Sequence, residues 1–307
     1  MPHVILIVSQ IAVGSAALLA RMGLDAGLSA VTLTAWRLLV ASLVLVPVVR
    51  WRGQSLGVEA LARRDVLRLV CAGVALGGHF ATWFASLQYV AVAPSTLLVS
   101  TTPVWAALGL WLTGQGAPTV RFWIGLLPAL LGAWLVTGGS AQSLVGNSEV
   151  LGYLLAVSGA ILLAAYFLLT ARLQSALTTS RVVAWTYTTA AVGMVVLSLT
   201  TTPTDQLVPA SASAWLSVVG MALLPQLMGH TMLNWSLRHF SPATVGMATL
   251  LEPVFAGVLA WWLLGERLSA MQIGGALLLL SGVGMVLSAG DRRRVTDYAS
   301  QETHRAH

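Results

Sequence analysis

The chain carries ten apolar stretches, each about as long as a helix that crosses a lipid bilayer, which takes ~20 mostly apolar residues. Because a helix satisfies its backbone hydrogen bonds internally, and because these runs are too long and uniform for barrel strands, the pattern predicts an all-α membrane protein with ten transmembrane helices. The predicted spans are Val4–Ala20, Ala30–Val49, Val66–Val90, Ser95–Thr113, Phe122–Gly138, Leu151–Thr170, Val182–Leu199, Ala214–Leu237, Ala243–Leu264 and Ala270–Ser288.

The composition excludes the main classes of soluble protein. Of the 307 residues, 57% are hydrophobic and only 8% are charged, and the mean hydropathy is +0.83. Soluble domains carry about 25% charged residues, because their exterior faces water. The sequence therefore excludes a soluble enzyme and a nucleic-acid-binding protein, although the net charge is +6. A single cysteine, Cys71, excludes an internal disulfide and a multi-cysteine metal site.

The arginines predict how the chain is oriented. With both termini in the cytoplasm, 13 of the 16 arginines fall in cytoplasmic segments, mainly in the loop 50–68 and the tail 291–307. Only Arg21 and Arg267 fall outside, and Arg37 lies within the second span. This bias is the positive-inside pattern, so we expect an N-in, C-in protein of a bacterial-type inner (plasma) membrane with a disordered tail. No basic residue precedes the first stretch, which favours a span over a cleaved signal peptide.

The two halves of the chain resemble each other. At an offset of 150 residues, Pro103-Val104-Trp105-Ala106 aligns with Pro253-Val254-Phe255-Ala256, and two glycines of the fifth span align with two of the tenth. The copies are five spans apart, and this odd number means that matching helices cross the membrane in opposite directions. Such inverted repeats are typical of secondary transporters, whose sites lie near the midplane. We therefore predict two five-helix repeats, residues 1–140 and 141–290.

Motifs in both halves carry a family resemblance. They are Trp36-Arg37-Leu38-Leu39, Gly229-His230 through Leu237, Leu251-Glu252-Pro253-Val254, Leu264-Gly265-Glu266-Arg267-Leu268 and the run from Gly274 to Gly284. Together they resemble the EamA-type family, the ten-helix branch of the drug/metabolite transporter superfamily, over about residues 4–288. The resemblance implies export or exchange of small metabolites, often amino acids. Gly114-Gln115-Gly116 departs from the Gly-Glu pattern of the family, which gives Gln115 no role and suggests a structural or orienting role for Glu266.

Ionisable residues at membrane depth are candidates for function, because their burial is costly. Glu252 is the one acid deep within a predicted span, and Pro253 beside it breaks the helical hydrogen-bond ladder, as Pro103 does in the fourth span. Freed carbonyls at such breaks suit a substrate site, although a proline bend can also serve packing alone. Arg37 binds a substrate carboxylate, extends to the membrane interface or pairs with a carbonyl.

A second group of candidates lies on the eighth span and its partner. Gln226, His230 and Asn234 are spaced four residues apart and share one face, which either lines a path or joins two helices. In the third span, His79 and Trp83 share a face, and we expect His79 to lie opposite His230. Histidine and Glu252 are able to carry a coupled proton, or the histidines are neutral bridges between helices. Trp105 is a candidate wall residue of the same site.

These observations favour a secondary transporter over an enzyme. The substrate is expected to be a small metabolite, most readily an amino acid or a related compound, moved by alternating access without a bound cofactor or metal. No Gly-x-x-x-x-Gly-Lys loop for nucleotide phosphates is present in the sequence. The alternatives are a translocase for lipid or lipid-linked substrates and, third, an integral membrane enzyme. The sequence is compatible with a monomer or a homodimer.

Overall fold

Helices form nearly all of the described chain. The computed structural model describes residues 1–57, 61–137, 147–264 and 269–288. In that part of the chain, nine helical segments of at least 18 residues are long and apolar enough to cross a membrane, and Val120–Val136 is a shorter apolar helix of 17 residues. The prediction of an all-helical protein with multiple membrane spans is confirmed. Glu266, Arg267 and the predicted tail 291–307 lie outside the described residues.

Six of the ten segments are continuous helices, and four are interrupted. In chain order the helices are α1 (Pro2–Val13), α2 (Ala16–Asp25), α3 (Ala30–Trp51), α4 (Arg63–Ser86), α5 (Val92–Val99), α6 (Thr102–Leu112), α7 (Val120–Val136), α8 (Asn147–Leu173), α9 (Thr179–Thr201), α10 (Ala212–Met221), a π-helix (Ala222–His230), α11 (Thr231–Ser236), α12 (Pro242–Thr249), α13 (Glu252–Leu264) and α14 (Ala270–Ser288).

Two of the interruptions lie next to the prolines that the sequence singles out. The fourth segment breaks between α5 and α6, and the ninth breaks between α12 and α13, at positions 150 residues apart. Pro103 and Pro253 each occupy the second position of the piece that follows the break. A proline at that position costs no helical hydrogen bond of its own piece, because the first N–H groups of a helix have no intrahelical partner. The two breaks therefore occupy matching places in the two halves.

The other two interruptions have no counterpart in the sequence prediction. The first segment breaks at Gly14 and Ser15, where a Cβ on Gly14 would lie 3.0 Å from Cβ of Phe255 on α13. In the eighth segment the helix widens into the π-helix, which contains Pro225 and ends at His230. A π-helix has hydrogen bonds between residues five apart in place of four, so side chains after it point in a different direction around the helix axis than in a continuous α-helix. Such segments are frequent at functional sites.

Helices α7 and α14 pack backbone against backbone. Gly125 and Gly132 of α7 face Gly282 and Gly275 of α14, which are the glycines at the 150-residue offset. A Cβ on Gly282 would collide with the carbonyl oxygen of Gly125 and lie 2.7 Å from the backbone nitrogen of Ala129. Small residues at helix crossings allow this approach, which compensates for the absence of a hydrophobic driving force between helices in lipid.

The Gly282→Val variant is expected to destabilise the protein, because the added side chain meets backbone that cannot move aside. Overpacking of this kind costs about 1–3 kcal/mol. The matched control is Gly284→Val on the same helix, because a Cβ there meets no atom within 4 Å among the described residues. Thermal unfolding in detergent measures both variants. Equal melting temperatures for the two would contradict the proposed role of the crossing.

Candidate functional site

Polar and aromatic side chains converge on a small cavity in the interior, which we call the central cavity. Its volume is about 10 Å³, close to the minimum that holds one water molecule. The structure is therefore closed around this point, and a metabolite needs a rearrangement to fit. The residues that line it come from both halves of the chain and are Val13, His79, Trp83, Val99, Ser100, Leu163, His230, Leu233, Thr249 and Glu252.

Four of the residues around the central cavity carry a buried polar atom with no hydrogen-bond partner among the described residues. These atoms are Nε1 of Trp83, Oγ of Ser100, Nδ1 of His230 and Oε1 of Glu252. More than nine in ten buried polar groups in proteins are satisfied, so four exceptions at one point call for a cause. Both breaks contribute, since Ser100 lies at the first and Glu252 begins the helix after the second. The group offers hydrogen-bond donors and acceptors to a solute.

Arg37 lies next to this group and is fully buried. Its guanidinium carbon stands 3.8 Å from the ring centroid of Phe80, a cation–π contact, and Phe80 in turn packs 5.0 Å from the His230 ring. None of its three side-chain nitrogens has a hydrogen-bond partner within the described part of the chain. The arginine therefore does not extend to the membrane interface or pair with a carbonyl, as one interpretation of the sequence had it.

Arg37 and Glu252 are ionisable groups of opposite sign and are not paired with each other. Each acts electrostatically on the other, yet they form no salt bridge, which would require an N···O distance of 4.0 Å or less. Glu252 is 4% exposed. Two buried ionisable groups without a partner are costly for a protein, because their desolvation is not offset.

The two candidate histidines lie together, as the sequence predicts. Their ring centroids are 6.3 Å apart, and the His79 ring stacks on Trp83 at 5.8 Å. Nδ1 of His79 donates a hydrogen bond to the carbonyl oxygen of Gly159 at 2.9 Å, which joins α4 to α8. His79 is thus held as a bridge between helices, whereas Nδ1 of His230 is left available.

The polar residues on one face of the eighth segment have different surroundings. Asn234 donates from Nδ2 to the hydroxyl of Tyr166 at 2.5 Å, so it joins α11 to α8. Gln226 is fully buried, and neither its amide nitrogen nor its amide oxygen has a partner in the described residues. Gln226 lies in the π-helix together with His230. Asn234 therefore joins two helices, one of the two alternatives from the sequence, whereas the Gln226 amide has no such partner among the described residues.

Trp105 does not line the central cavity. It is half-buried, and its indole nitrogen donates to the hydroxyl of Thr101 at 3.2 Å, one turn back along the same segment. Trp235, another tryptophan within a predicted span, packs with its ring centroid 4.3 Å from that of His239 and lines a different pocket. Of the eight residues predicted to bind substrate, four line the central cavity: His79, Trp83, His230 and Glu252. Arg37 contacts Phe80 beside it, Gln226 and Asn234 lie on the same segment as His230, and Trp105 does not reach it.

The sequence analysis did not select Tyr187, Tyr166 or Gln10, all of which are fully buried. The hydroxyl of Tyr187 donates to the carbonyl oxygen of Gln226 at 3.2 Å and lies 3.2 Å from the hydroxyl of Thr231. Oε1 of Gln10 has no partner among the described residues. A polar group in the middle of an apolar span was the signal available for all three, because such groups seldom face lipid.

The candidate site is made of hydrogen-bonding groups, ionisable groups and an apolar wall. In the described part of the chain, no group of three histidine, cysteine, aspartate or glutamate residues could hold a metal ion. The aromatic rings of Phe80, Trp83 and Phe84 form an apolar wall beside the unpaired polar atoms, with Phe80 and Phe84 stacked at 5.7 Å. A polar head next to an apolar wall is the usual composition of a small-molecule site.

Comparison with known proteins agrees with this description. An "uncharacterized transporter YyaM" of Bacillus subtilis (strain 168) is 23% identical over 269 residues, which cover 87% of each chain. A "probable terminal-alkyne amino-acid exporter" of Streptantibioticus cattleyicolor is 35% identical over 68 residues, 22% of this chain and 23% of the relative. A crystal structure superposes with a TM-score of 0.78 at 18% identity over 94% of this chain and 97% of the other, which shows a shared fold.

The family model described as "EamA-like transporter family" matches the chain twice, over residues 1–138 and 150–288. The two matches cover nearly all of the described helices and include Arg37 and every residue that lines the central cavity. The apolar helices and the transporter-named relatives support a multi-pass membrane transporter. The chain belongs to the EamA-like transporter family.

Proposed function

We propose that this transporter moves an amino acid or a closely related small zwitterion out of the cell across a bacterial inner membrane. The observation that carries the proposal is the group of unpartnered polar atoms around the central cavity, with Arg37 and Glu252 buried and unpaired. A carboxylate would accept hydrogen bonds from the Arg37 fork, and an ammonium group would donate to Glu252. The partial likeness to an amino-acid exporter supports the same substrate class and direction.

The shape of the site supports an amphipathic substrate. Phe80, Trp83 and Phe84 offer an apolar surface to a side chain, and the Arg37 guanidinium lies directly on the Phe80 ring, so polar and apolar groups adjoin. A solute with one charge would leave the opposite charge of the protein buried without a partner, which costs binding energy. The site therefore discriminates in favour of zwitterions over simple acids and simple amines.

Alternating access between two inverted five-helix repeats is the mechanism that we propose for transport. The two family matches, the breaks 150 residues apart and the glycine crossing of α7 with α14 support two related halves. The distribution of arginines supports an N-in, C-in orientation. The closed cavity is then one state of a cycle in which the two halves open the site first to one side and then to the other.

Counterflow in proteoliposomes tests the proposal. We expect saturable exchange of one or more amino acids from a panel, with little exchange of matched carboxylic acids or amines. An imposed pH gradient shows whether a proton moves with the substrate, for which Glu252 and His230 are the available groups. Stimulation by the gradient supports coupling, and indifference makes the protein a facilitator. Folded protein with no exchange of any panel member would contradict the proposal.

A lipid substrate is the second candidate, and it makes a different structural demand. An apolar groove of about 470 Å³ runs between α3 and α9 and is lined in part by Leu39, Pro47 and Val192. A lipid translocase needs a groove with a charged or strongly polar end for the head group, but none of the described residues that line this groove is charged. Its lining therefore favours a small solute that enters from water. Transfer of labelled lipid without amino-acid exchange would reverse this preference.

A further inference from the structure

A further pocket, of about 480 Å³, lies where α1, α3, α9 and α11 meet, and we call it the lateral pocket. Its volume falls in the range of small-molecule sites. Arg52, which follows α3, Thr179 and Ser180 at the beginning of α9, and Arg238, which follows α11, lie at its outer end. All of these positions are at the ends of helices that meet on one side of the bundle. Under the proposed orientation that side is cytoplasmic.

The lateral pocket extends inward to Thr231. Thr231 is seven residues before Arg238, and Leu45, which also lines the pocket, is seven residues before Arg52. Seven residues of α-helix span about 10 Å, so the pocket penetrates about two helical turns from its charged end. The two distances agree, which means that the same depth is reached along both α3 and α11.

Tyr187 and Thr231 connect the lateral pocket to Gln226, because Thr231 lines the pocket and the Tyr187 hydroxyl is bonded to the Gln226 carbonyl. The hydroxyl of Tyr187 is bonded to the carbonyl oxygen of Gln226, and the hydroxyl of Thr231 is 3.2 Å from the Tyr187 oxygen. The Thr231 hydroxyl also lies 3.5 Å from the Gln226 carbonyl oxygen, so the two hydroxyls share one acceptor and either is able to donate to the other. Thr231 faces the pocket, whereas Gln226 and Tyr187 are fully buried, and Tyr187 interacts electrostatically with Arg37.

The outer end of the pocket is positively charged. Two arginines line it, and no acidic residue lies among its described lining residues. His239, adjacent in sequence to Arg238, adds little charge at neutral pH, because partial burial and the charge of Arg238 lower its pKa. A cleft with charge of one sign raises the local concentration of solutes of the other sign and their rate of association.

We propose that the lateral pocket is the cytoplasmic vestibule of the transport path, that the Tyr187–Thr231 hydrogen bond is its inner gate, and that Arg52 and Arg238 favour solutes with a negatively charged group. The inference rests on the proposed function and extends it, because it assigns the side of access, a gate and a charge preference. The carboxylate of a zwitterion would meet two arginines at the mouth and then Arg37 inside. The hydroxyl of Thr231, at the inner end of the pocket, lies between them.

Cysteine labelling tests the vestibule without any knowledge of the substrate. In a Cys71→Ser background, which removes the one native cysteine, Thr231→Cys is treated in oriented vesicles with negatively and positively charged methanethiosulfonate reagents. We expect reaction from the cytoplasmic side only. The control is Leu43→Cys, close to Leu45 in depth but exposed on the outer side of α3, which should not react with either charged reagent. Met232→Cys, also on the pocket wall, replaces Thr231→Cys if that variant does not fold.

The same labelling measures the charge preference and the gate. Relative to a free thiol, the anionic reagent should react faster than the cationic one, and Arg52→Gln with Arg238→Gln should reduce that ratio roughly tenfold. Tyr187→Phe removes the hydroxyl and retains the ring. In that variant, Gln226→Cys, which lies behind the gate, should react several-fold faster with the methanethiosulfonate reagents from the cytoplasmic side. The backbone acceptor at that position is kept.

Several outcomes would overturn the inference. Reaction of Thr231→Cys only with a lipid-soluble maleimide would mean that the pocket is filled by lipid rather than water. An unchanged ratio in the arginine variants would remove the charge preference, and unchanged reactivity behind Tyr187→Phe would remove the gate. Because labelling needs no transport, a protein that labels as expected but carries no amino acid would contradict only the proposed function.

Discussion

Replacing Arg37 with glutamine is expected to abolish amino-acid exchange while the protein remains folded. The guanidinium group would be the main ligand of the substrate carboxylate, and loss of one member of a buried charge pair costs at least about 2 kcal/mol, or roughly thirtyfold in binding. Stability should change little, because the three nitrogens of Arg37 have no hydrogen-bond partner to lose among the described residues and only the cation–π contacts with Phe80 and Phe84 are lost. Counterflow and thermal unfolding of the same preparation measure the two effects.

The contrast between activity and stability separates a ligand from a structural residue. Arg50→Gln is the control, because Arg50 lies on the same helix but is exposed. Arg37→Lys keeps the charge and loses the planar fork, so it should recover only part of the exchange. A melting temperature that falls steeply in Arg37→Gln would make the arginine a structural group. Normal exchange in that variant would remove it from the site.

Replacing Glu252 with glutamine is expected to have the second largest effect. The carboxylate would be the partner of the substrate ammonium group, so the apparent affinity for amino acids should fall by roughly thirtyfold or more. Inhibition by the matching carboxylic acid, which lacks the amino group, should fall much less. Glutamine preserves the shape of the side chain and its position at the beginning of α13. Competition in counterflow measures both effects.

Glu252 has an alternative role that the same variant distinguishes. If this carboxyl carries a proton, Glu252→Gln would lose uptake driven by a pH gradient and keep exchange at equal pH. If it binds the ammonium group, both would be impaired. Glu149→Gln is the control, because Glu149 lies in the first turn of α8, away from the central cavity. Full activity of Glu252→Gln in both assays would exclude either role.

Hydropathy and charge were enough to predict the helical spans, because the bilayer imposes one length and one polarity on every segment. The prolines also mark local structure directly, and the breaks at α5–α6 and α12–α13 lie beside Pro103 and Pro253. The π-helix and the break at Gly14 are different. They depend on which helix packs opposite, as the close approach of Gly14 to Phe255 illustrates, and a local pattern does not contain that information.

The candidate site shows the same division. Charged and polar residues inside apolar spans were readily selected, because lipid excludes them. Trp105 was selected by depth, but depth leaves open which way a side chain points around its helix, and the indole turns back to Thr101. The spacing of Gln226, His230 and Asn234 likewise put three residues on one face without showing that Asn234 meets Tyr166. Direction around the helix is set by packing between segments.

The glycine crossing of α7 and α14 restricts the movements that the protein is able to make. Side chains can change rotamer as helices slide, but backbone in direct contact with backbone has no such freedom, so we expect these two helices to move as one rigid unit. Any opening of the central cavity has to leave that unit intact. We therefore expect the displacement to occur in the other eight segments, where the interrupted helices supply short pieces that are able to tilt relative to α7 and α14.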